Sequence, residues 1–421
     1  MRSILKHRAL RLVFTANLIS MLGSGMNAAA VTWFILQATR SETALGTLVM
    51  LQTLPAMLML PFTGVIIDRE DRRRLVMLLD AARAIVILAV ATLALRGQAQ
   101  VWHLYAMAVL VAAGFWMFWP TVTALIQELT PDAQFVTSNT FLLAGVQGGW
   151  LLAGAVVGFV YNHIGLGGVL LLDVSTYVVS FVCYLFVRRG RHVVKHEHAI
   201  SERLHAAETA VGKYLHELHE GWIYVRSNRY LMLMGTALSL FIAGMMAQGV
   251  LTAPFSDRIL HAGAVGYGWL NGGWGTGAFI SALYSPLLIR RWSPRLATIV
   301  SMSVMALGLY VMPFFAWLWI GVAIYAMMGS ARGISGVAIQ SSIMEIVPKH
   351  FMGRVQNTFY FLGTVLQIVI APLVGAVSHH IALSGGFAIV GSMYLVAAVA
   401  ALAAVDAPRQ AEVAVPTTVA D

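Results

Sequence analysis

Four charged residues lie within long apolar stretches of the sequence, where a charge needs a partner or a function. Asp80 and Arg83 occur in the segment DAAR, Asp173 in LLLDVS and Arg332 in GSARGISG. A carboxylate in such surroundings can bind a proton or a cation, whereas a guanidinium can bind an anionic group. We therefore treat these four residues as candidates for ion coupling or substrate contact.

Each candidate also has a structural interpretation. Asp80 and Arg83 are three residues apart, so on a helix they share a face and can neutralise each other. Asp173 can be a hydrogen-bonded carboxylate that holds two helices together. Arg332 has small neighbours that would let a ligand approach, but a paired arginine, or one that extends to the membrane surface, fits the same position.

The elements that position these residues are membrane-spanning helices. Only 11% of the 421 residues are charged and 59% are hydrophobic, whereas soluble domains carry about 25% charge. Apolar stretches recur from Leu12 to Ala400, and about twelve of them reach the length of about 20 residues that spans a bilayer. We expect an all-α membrane protein with two pseudo-symmetric six-helix bundles.

The distribution of Lys and Arg predicts the orientation. With the amino terminus in the cytoplasm, the outer segments hold only Arg40, Arg96 and Arg258, and the inner segments hold the other basic residues except Arg83 and Arg332, which lie within spans. This asymmetry predicts that both termini are cytoplasmic. The net charge of +9 then faces the anionic inner leaflet, so no nucleic-acid partner is needed to explain it. The single cysteine, Cys183, excludes a disulfide framework.

The chain divides into two repeated halves. QELTPDAQFVTSNTF, from residue 127, is echoed by MEIVPKHFMGRVQNTF, from residue 344, at an offset of 217 to 218 residues. Such parallel repeats are typical of transporters with a substrate site near the midplane. We predict a first bundle over 1–188, a cytoplasmic linker with an amphipathic helix over 189–229, a second bundle over 230–406 and a flexible tail over 407–421.

The segment GVIIDREDRRR, from residue 64, carries a family resemblance. Gly64, Asp68, Arg69, Arg72 and Arg73 resemble the loop signature of the major facilitator superfamily, and the likeness covers about residues 10 to 405. The resemblance implies a conformational latch: Asp68 accepts hydrogen bonds at the amino end of span eleven, and the two later arginines bind carboxylates or last-turn carbonyls at the cytoplasmic side. A positive-inside anchor is the alternative interpretation.

Further motifs resemble the branch of macrolide and enterobactin exporters. They are the block 68–74, the DAAR segment, Glu220-Gly-Trp and Gly353-Arg354-Val355. The glycines Gly145, Gly154 and Gly158 resemble the antiporter signature of the family, in which glycines let helices pack tightly. Phe159 replaces the proline that normally follows, and close packing alone would use the same glycines.

The residues for coupling and substrate contact depart from the familiar exporters. Span four has no arginine and span one has no acid, so proton coupling would fall to Asp80, Glu128, Asp173 or His103. Methionine, aromatic and amide side chains suit a bulky amphipathic ligand. The cavity candidates are Asn27, Trp116, Trp119, Met245, Gln248 and Asn271.

The sequence thus predicts a secondary active transporter, an exporter of drug, macrolide or siderophore type, with a proton or other ion gradient as a possible driving force. The alternative is a carrier of a lipid or an organic anion without proton coupling. Phosphate-binding loops and nucleophile motifs are missing, so we expect no enzyme activity, no cofactor and no metal. By resemblance, we expect a monomer in a bacterial inner membrane, in contact with lipids.

Overall fold

All regular structure among the described residues is helical. The computed structural model describes residues 7–130, 135–187 and 200–404. The helices are α1 (Arg8–Thr39), α2 (Glu42–Arg69), α3 (Arg72–Leu95), α4 (Val101–Leu129), α5 (Phe135–Leu185), α6 (Ile200–Ser227), α7 (Arg229–Pro254), α8 (Gly263–Trp292), α9 (Pro294–Val311), α10 (Leu318–Met344), α11 (Met352–His380) and α12 (Leu383–Ala403). A π-helical turn, Phe255–Ile259, follows α7.

The long helix α5 consists of two antiparallel arms. Gly165 has a φ of 63° and a ψ of −173° and interrupts the helix. Before it, Gly149 packs against Met21 of α1. After it, Asp173 meets Asn27 of α1, and Tyr184 meets Asn17 further back along α1. The chain therefore reverses at Gly165, where glycine tolerates the positive φ.

The helices have the length and composition of membrane spans. Nine helical segments of the described residues are long and apolar enough to cross a membrane. The helix α2, the first arm of α5 and the glycine-rich α8 pack among these nine segments. The nine segments and these three together agree with the sequence-based prediction of about twelve spans.

The spans pack in two groups. In the first, α1 packs on α5, α3 packs on α4 and α5, and α2 packs on α4. In the second, α7 packs on α11 and α12, α9 on α10 and α12, and α8 on α10. The seam, as we name the contact between the groups, is formed mainly by α2 against α11 and by α5 against α8. The predicted limits at 188–189 and 406–407 lie outside the described residues and remain predictions.

The two ends of the bundle differ in their connections. We call the end at which α1 passes into α2 the Arg40 end, and the end at which α2 passes into α3 the Arg72 end.

Helix α6 docks on α11: an added Cβ on Gly221 would lie 2.6 Å from the carbonyl oxygen of Arg354. Glu220 binds the guanidinium of Arg354 at 3.0 Å. Leu215, Trp222 and Ile223 of α6 stay exposed, which gives this helix the apolar surface of the amphipathic helix that the sequence predicts.

Candidate functional site

Asp80 and Arg83 form a buried ion pair inside the first group. One Arg83 Nη lies 2.5 Å from Oδ1 of Asp80, and Ser180 donates to Oδ2 of Asp80 at 2.6 Å. The guanidinium carbon lies 4.3 Å from the ring centre of Phe118 and 4.6 Å from that of Tyr177. Both charged side chains are almost completely buried. The pair thus links α3, α4 and the second arm of α5.

Gly114 makes room for this arginine. A Cβ at Gly114 would lie 3.0 Å from Cγ of Arg83. The side chain therefore fills a groove on α4 that a larger residue would block. The i, i+3 spacing predicts that Asp80 and Arg83 meet, but the aromatic rings and Ser180 come from residues distant in sequence.

Asp173 is bound to α1. Asn27 donates to Oδ2 of Asp173 at 2.7 Å, and Thr176 lies within 3.4 Å of Oδ1. The Asp173 side chain is completely buried. Gly23 packs directly against it, since a Cβ there would lie 2.5 Å from Oδ1. In this conformation α1 therefore covers the Asp173 carboxylate.

Two further polar contacts extend this buried network toward the Arg72 end. Ser24 and Tyr177 share a hydrogen bond of 2.8 Å, and Asn17 donates to the hydroxyl of Tyr184 at 3.0 Å. The polar residues of α1 therefore form one stripe along the second arm of α5. Asn17, Ser24 and Asn27 are seven and three residues apart, which on a helix puts them on one face, although this spacing does not identify the partner helix.

The arginines of the charge block attach α3 to the ends of neighbouring helices. Arg72 binds Glu128 at 3.0 Å and the carbonyl of Ala124 at 3.2 Å. Arg73 donates to the carbonyls of Tyr184 and Leu185 at 2.7 and 2.6 Å. All these partners belong to the first group. The side chains of Asp68 and Arg69 and the surroundings of Gly64 lie outside the described part, so the contact of Asp68 with span eleven stays a prediction.

The amino end of α3 has its own cap, which the sequence interpretation missed. The backbone N–H of Arg74 donates to Oδ1 of Asp71 at 3.2 Å. An aspartate just before a helix is a common N-cap. The same block thus both starts α3 and ties it to α4 and α5.

Two glycines of the antiporter-like pattern lie at the seam. A Cβ on Gly158 would lie 2.6 Å from Cα of Gly268 in α8, and one on Gly154 would lie 2.7 Å from Cβ of Asn271. Beside them, Phe159 packs edge to face with Trp269 at 5.6 Å. The surroundings of Gly145 are not described. Backbones of the two groups thus touch at Gly158.

Helices α2 and α11 meet with similar closeness. A Cβ on Gly46 would lie 2.5 Å from the carbonyl oxygen of Ala371, and one on Gly375 equally close to that of Glu42. Gln367 of α11 donates to Thr53 of α2. These contacts and those of Gly154 and Gly158 all lie in the half of each helix nearer the Arg40 end. The seam is therefore sealed at that end.

An ion-pair cluster closes the Arg40 end. Arg40 binds Asp257 at 2.8 Å, and Arg258 binds Glu42 at 2.7 Å and donates to the Arg40 carbonyl at 2.6 Å. His379 of α11 lies 3.1 Å from the second oxygen of Glu42. The Glu42 carboxylate is fully buried. Sequence reasoning missed this cluster, although Arg40 and Arg258 stand at the repeat offset of 218 residues.

Arg332 is the charged residue of the second group that lies in a span. It is half-buried on α10, and its Nε donates to Sδ of Met245 on α7 at 3.3 Å. No described carboxylate forms an ion pair with it. The structure thus brings together two of the predicted residues, Met245 and Arg332.

The other cavity candidates differ in exposure. Trp116 is exposed and Trp119 half-buried. Asn27 and Gln248 are buried, with 7% and 3% of their surface accessible. Asn271 donates to the carbonyl of Tyr267 at 2.8 Å and packs at the seam. In this conformation, Asn27, Gln248 and Asn271 therefore contact protein rather than an open cavity.

A bundle of long apolar helices in two groups, with charged residues within the spans, is typical of membrane transporters. The chain matches the family model described as Major Facilitator Superfamily over residues 13–369. It therefore belongs to the major facilitator superfamily, and it carries out secondary transport by alternating access rather than enzyme catalysis. The predicted fold class and the family resemblance are confirmed.

Relatives by sequence are distant. An uncharacterized MFS-type transporter, YkuC of Bacillus subtilis (strain 168), is 22% identical over 84% of this chain and 82% of its own length. Macrolide efflux protein A of Streptococcus pyogenes is 20% identical over 227 residues, 53% of each chain. Such a match over about half the length leaves the substrate of this chain open.

Solved structures show the same fold. The nucleoside transporter NupG superposes with a TM-score of 0.70 at 12% identity, covering 94% of this chain and 100% of its own. A POT family transporter in complex with 5-aminolevulinic acid gives a TM-score of 0.72 at 12% identity, covering 94% and 96%. At these identities the likeness establishes the fold alone.

Proposed function

We propose that this transporter exports hydrophobic or amphiphilic small molecules across a bacterial plasma membrane. The observation that carries the proposal is the contact of Gly158 with Gly268. The glycine pattern that resembles the antiporter signature lies where the two groups must separate and close again. The distant macrolide efflux relative and the aromatic and methionine residues of α4 and α7 support the same substrate class.

The orientation completes the proposal. The basic residues predict that the Arg72 end faces the cytoplasm. The state described here is then closed toward the outside, because the seam contacts and the ion-pair cluster lie at the Arg40 end. Export requires this cluster to open while the Arg72 end closes. The attachments of Arg72 and Arg73 keep the first group rigid during that movement.

The test is substrate counterflow in proteoliposomes, which needs no knowledge of the driving force. Vesicles are loaded in turn with an unlabelled macrolide, a dye cation, a catecholate siderophore or a lysophospholipid, then exposed to the labelled compound. We expect transient accumulation of at least one of these compounds and its loss in Gly158→Leu. The control is Gly249→Leu, because an added Cβ at Gly249 meets nothing within 4 Å. Accumulation of none of the four would overturn the proposed substrate class.

A second candidate function is a lipid or organic-anion carrier without proton coupling. The observation that favours it is the burial of Asp80 and Asp173, the two acids at mid-span in the first group. Both are hydrogen-bonded to neighbouring residues. Movement of a compound by counterflow, together with indifference to a pH gradient, would favour this candidate.

A further inference from the structure

Arg332 is a positive charge near the middle of α10 that no described residue balances. Its named contact, Sδ of Met245, is a weak acceptor and carries no charge. A cation that is half-buried within a span is costly unless a counter-charge or a ligand accompanies it. An anionic ligand would therefore stabilise Arg332 at this position, because no described residue supplies the counter-charge.

The internal repeat supplies a direct comparison. Tyr394 lies 217 residues after Tyr177, the offset of the repeat. Arg83 stacks on Tyr177 in the first group. In the second group, the hydroxyl of Tyr394 would lie 3.1 Å from an added Cβ on Gly244, the residue before the Arg332 contact Met245. Both groups thus carry an arginine on the spans around the equivalent tyrosine, but among the described residues only Arg83 has an aspartate partner, at 2.5 Å. The repeat places Val300 of α9 opposite Arg83, so Arg332 is a separate cation of the second group, carried by α10.

Among the described residues, two buried polar atoms around Met245, the contact of Arg332, have no hydrogen-bond partner. They are the hydroxyl oxygen of Tyr394 and Oε1 of Gln248. Gln248 follows Met245 by three residues on α7, so the two share a helix face. Tyr394 is fully buried, and leaving its hydroxyl unsatisfied is unfavourable. The guanidinium and the hydroxyl are donors that an oxyanion would satisfy.

Resting on the proposed function, we propose that Arg332 binds the oxyanion of an amphiphilic substrate, a carboxylate or a phosphate, with the Tyr394 hydroxyl as a second donor. An arginine presents its N–H groups in a planar fork that matches both oxyanions. Met245 packs beside the fork and suits the apolar body of the same molecule. The substrate class is thus narrowed from amphiphiles in general to anionic amphiphiles.

Thermal stability tests whether Arg332 lacks a counter-charge in the ligand-free protein. If the charge of Arg332 is unbalanced, Arg332→Gln should raise the melting temperature of the ligand-free protein in detergent by about 2 to 4 °C. The matched control is Arg83→Gln, which strands Asp80 and should lower it by several degrees. If Arg332→Gln lowers the melting temperature as much as Arg83→Gln does, or if Arg332→Gln does not fold, then Arg332 has an internal structural role and the proposal is overturned.

Ligand binding tests the site itself. The probes are 4-(1-pyrenyl)butyrate and its primary amide, which share one apolar body and differ in charge. We expect the wild type to prefer the carboxylate and Arg332→Gln to weaken carboxylate binding about 10- to 100-fold, with amide binding changed less than threefold. Arg332→Lys should retain part of the preference, because it keeps the charge without the fork.

The outcomes separate this inference from the proposed function. If the wild type binds both probes equally, or Arg332→Gln weakens both alike, the oxyanion site is wrong while amphiphile transport stands. If the wild type binds neither probe and shows no counterflow, the proposed function fails first. Competition by dodecanoate or by lysophosphatidate distinguishes a free carboxylate from a lipid phosphate, and displacement of pyrenylbutyrate by neither would contradict the site.

Discussion

Arg258 and Glu42 join the two groups of helices across the Arg40 end, with 2.7 Å between Nη1 of the arginine and Oε1 of the glutamate. The glutamate begins α2, and the arginine lies in the π-helical turn after α7. Because His379 of α11 binds the other oxygen of Glu42, one buried carboxylate holds three helices together. Its contacts must break before the Arg40 end can open.

Glu42→Gln should therefore shift the protein toward the state open at the Arg40 end. Removing the negative charge leaves Arg258 and His379 without their shared partner, and a broken buried ion pair costs about 3–5 kcal/mol. In a Cys183→Ser background, the reporter is Thr53→Cys, at the seam beside Gln367. We expect its reaction with a membrane-impermeant maleimide to speed up roughly 10-fold or more.

Arg96→Gln is the control for this measurement. Arg96 is exposed, ends α3 at the same end of the bundle and has no ion pair within the described residues, so its loss changes the charge without touching the seam. Equal labelling rates in Glu42→Gln and Arg96→Gln would show that the cluster does not control opening.

Gly158→Ala should slow transport with little loss of stability. Its Cβ would approach Cα of Gly268 to 2.6 Å and the carbonyl oxygen of Ala264 to 2.7 Å, so α5 and α8 could no longer close fully. Counterflow should fall at least about fivefold, a loss of roughly 1 kcal/mol in the closed state. Gly249→Ala should leave counterflow unchanged, since its Cβ meets nothing. Normal counterflow in Gly158→Ala would mean that closure at this contact does not limit the cycle.

The pair of Asp80 and Arg83 should show strong coupling in a double-mutant cycle. Asp80→Asn and Arg83→Gln each leave one buried charge alone, and each should destabilise the protein by about 3–5 kcal/mol. The double variant should be more stable than the sum of the two effects predicts. Arg74→Gln should cost less than about 1 kcal/mol, because Arg74 is exposed and lies 3.9 Å from Asp71. Additive losses in the cycle would show that the two charges do not depend on each other.

Asp173→Asn should separate proton coupling from substrate movement. The amide keeps the size of the side chain and an oxygen that can accept from Asn27, so the helices should stay packed. It cannot carry a proton, so we expect counterflow to persist and accumulation driven by a pH gradient to disappear. Asp71→Asn is the control, because asparagine is an equally good N-cap. Gradient-driven accumulation that persists in Asp173→Asn would return Asp173 to a packing role and assign the coupling to another group, whereas indifference of the wild type to the gradient would favour the uncoupled carrier.

Much of this architecture follows from local patterns in the sequence. The apolar stretches and the repeat predict two groups of spans, and the three-residue spacing predicts that Asp80 meets Arg83. Contacts between distant elements leave no such pattern. Glu42 and His379 are 337 residues apart, and nothing around either residue names the other. The missing partner of Arg332 likewise becomes visible only when the neighbours of α10 are known.

The central claim is export, and its most direct measurement is transport into inside-out membrane vesicles under an imposed pH gradient, acid inside. These vesicles expose the cytoplasmic face, so an exporter must carry its substrate inward. We predict that compounds active in counterflow accumulate severalfold above equilibrium in these vesicles, and that an uncoupler abolishes the accumulation. Accumulation of the same compounds only in right-side-out vesicles would contradict export and identify the protein as an importer.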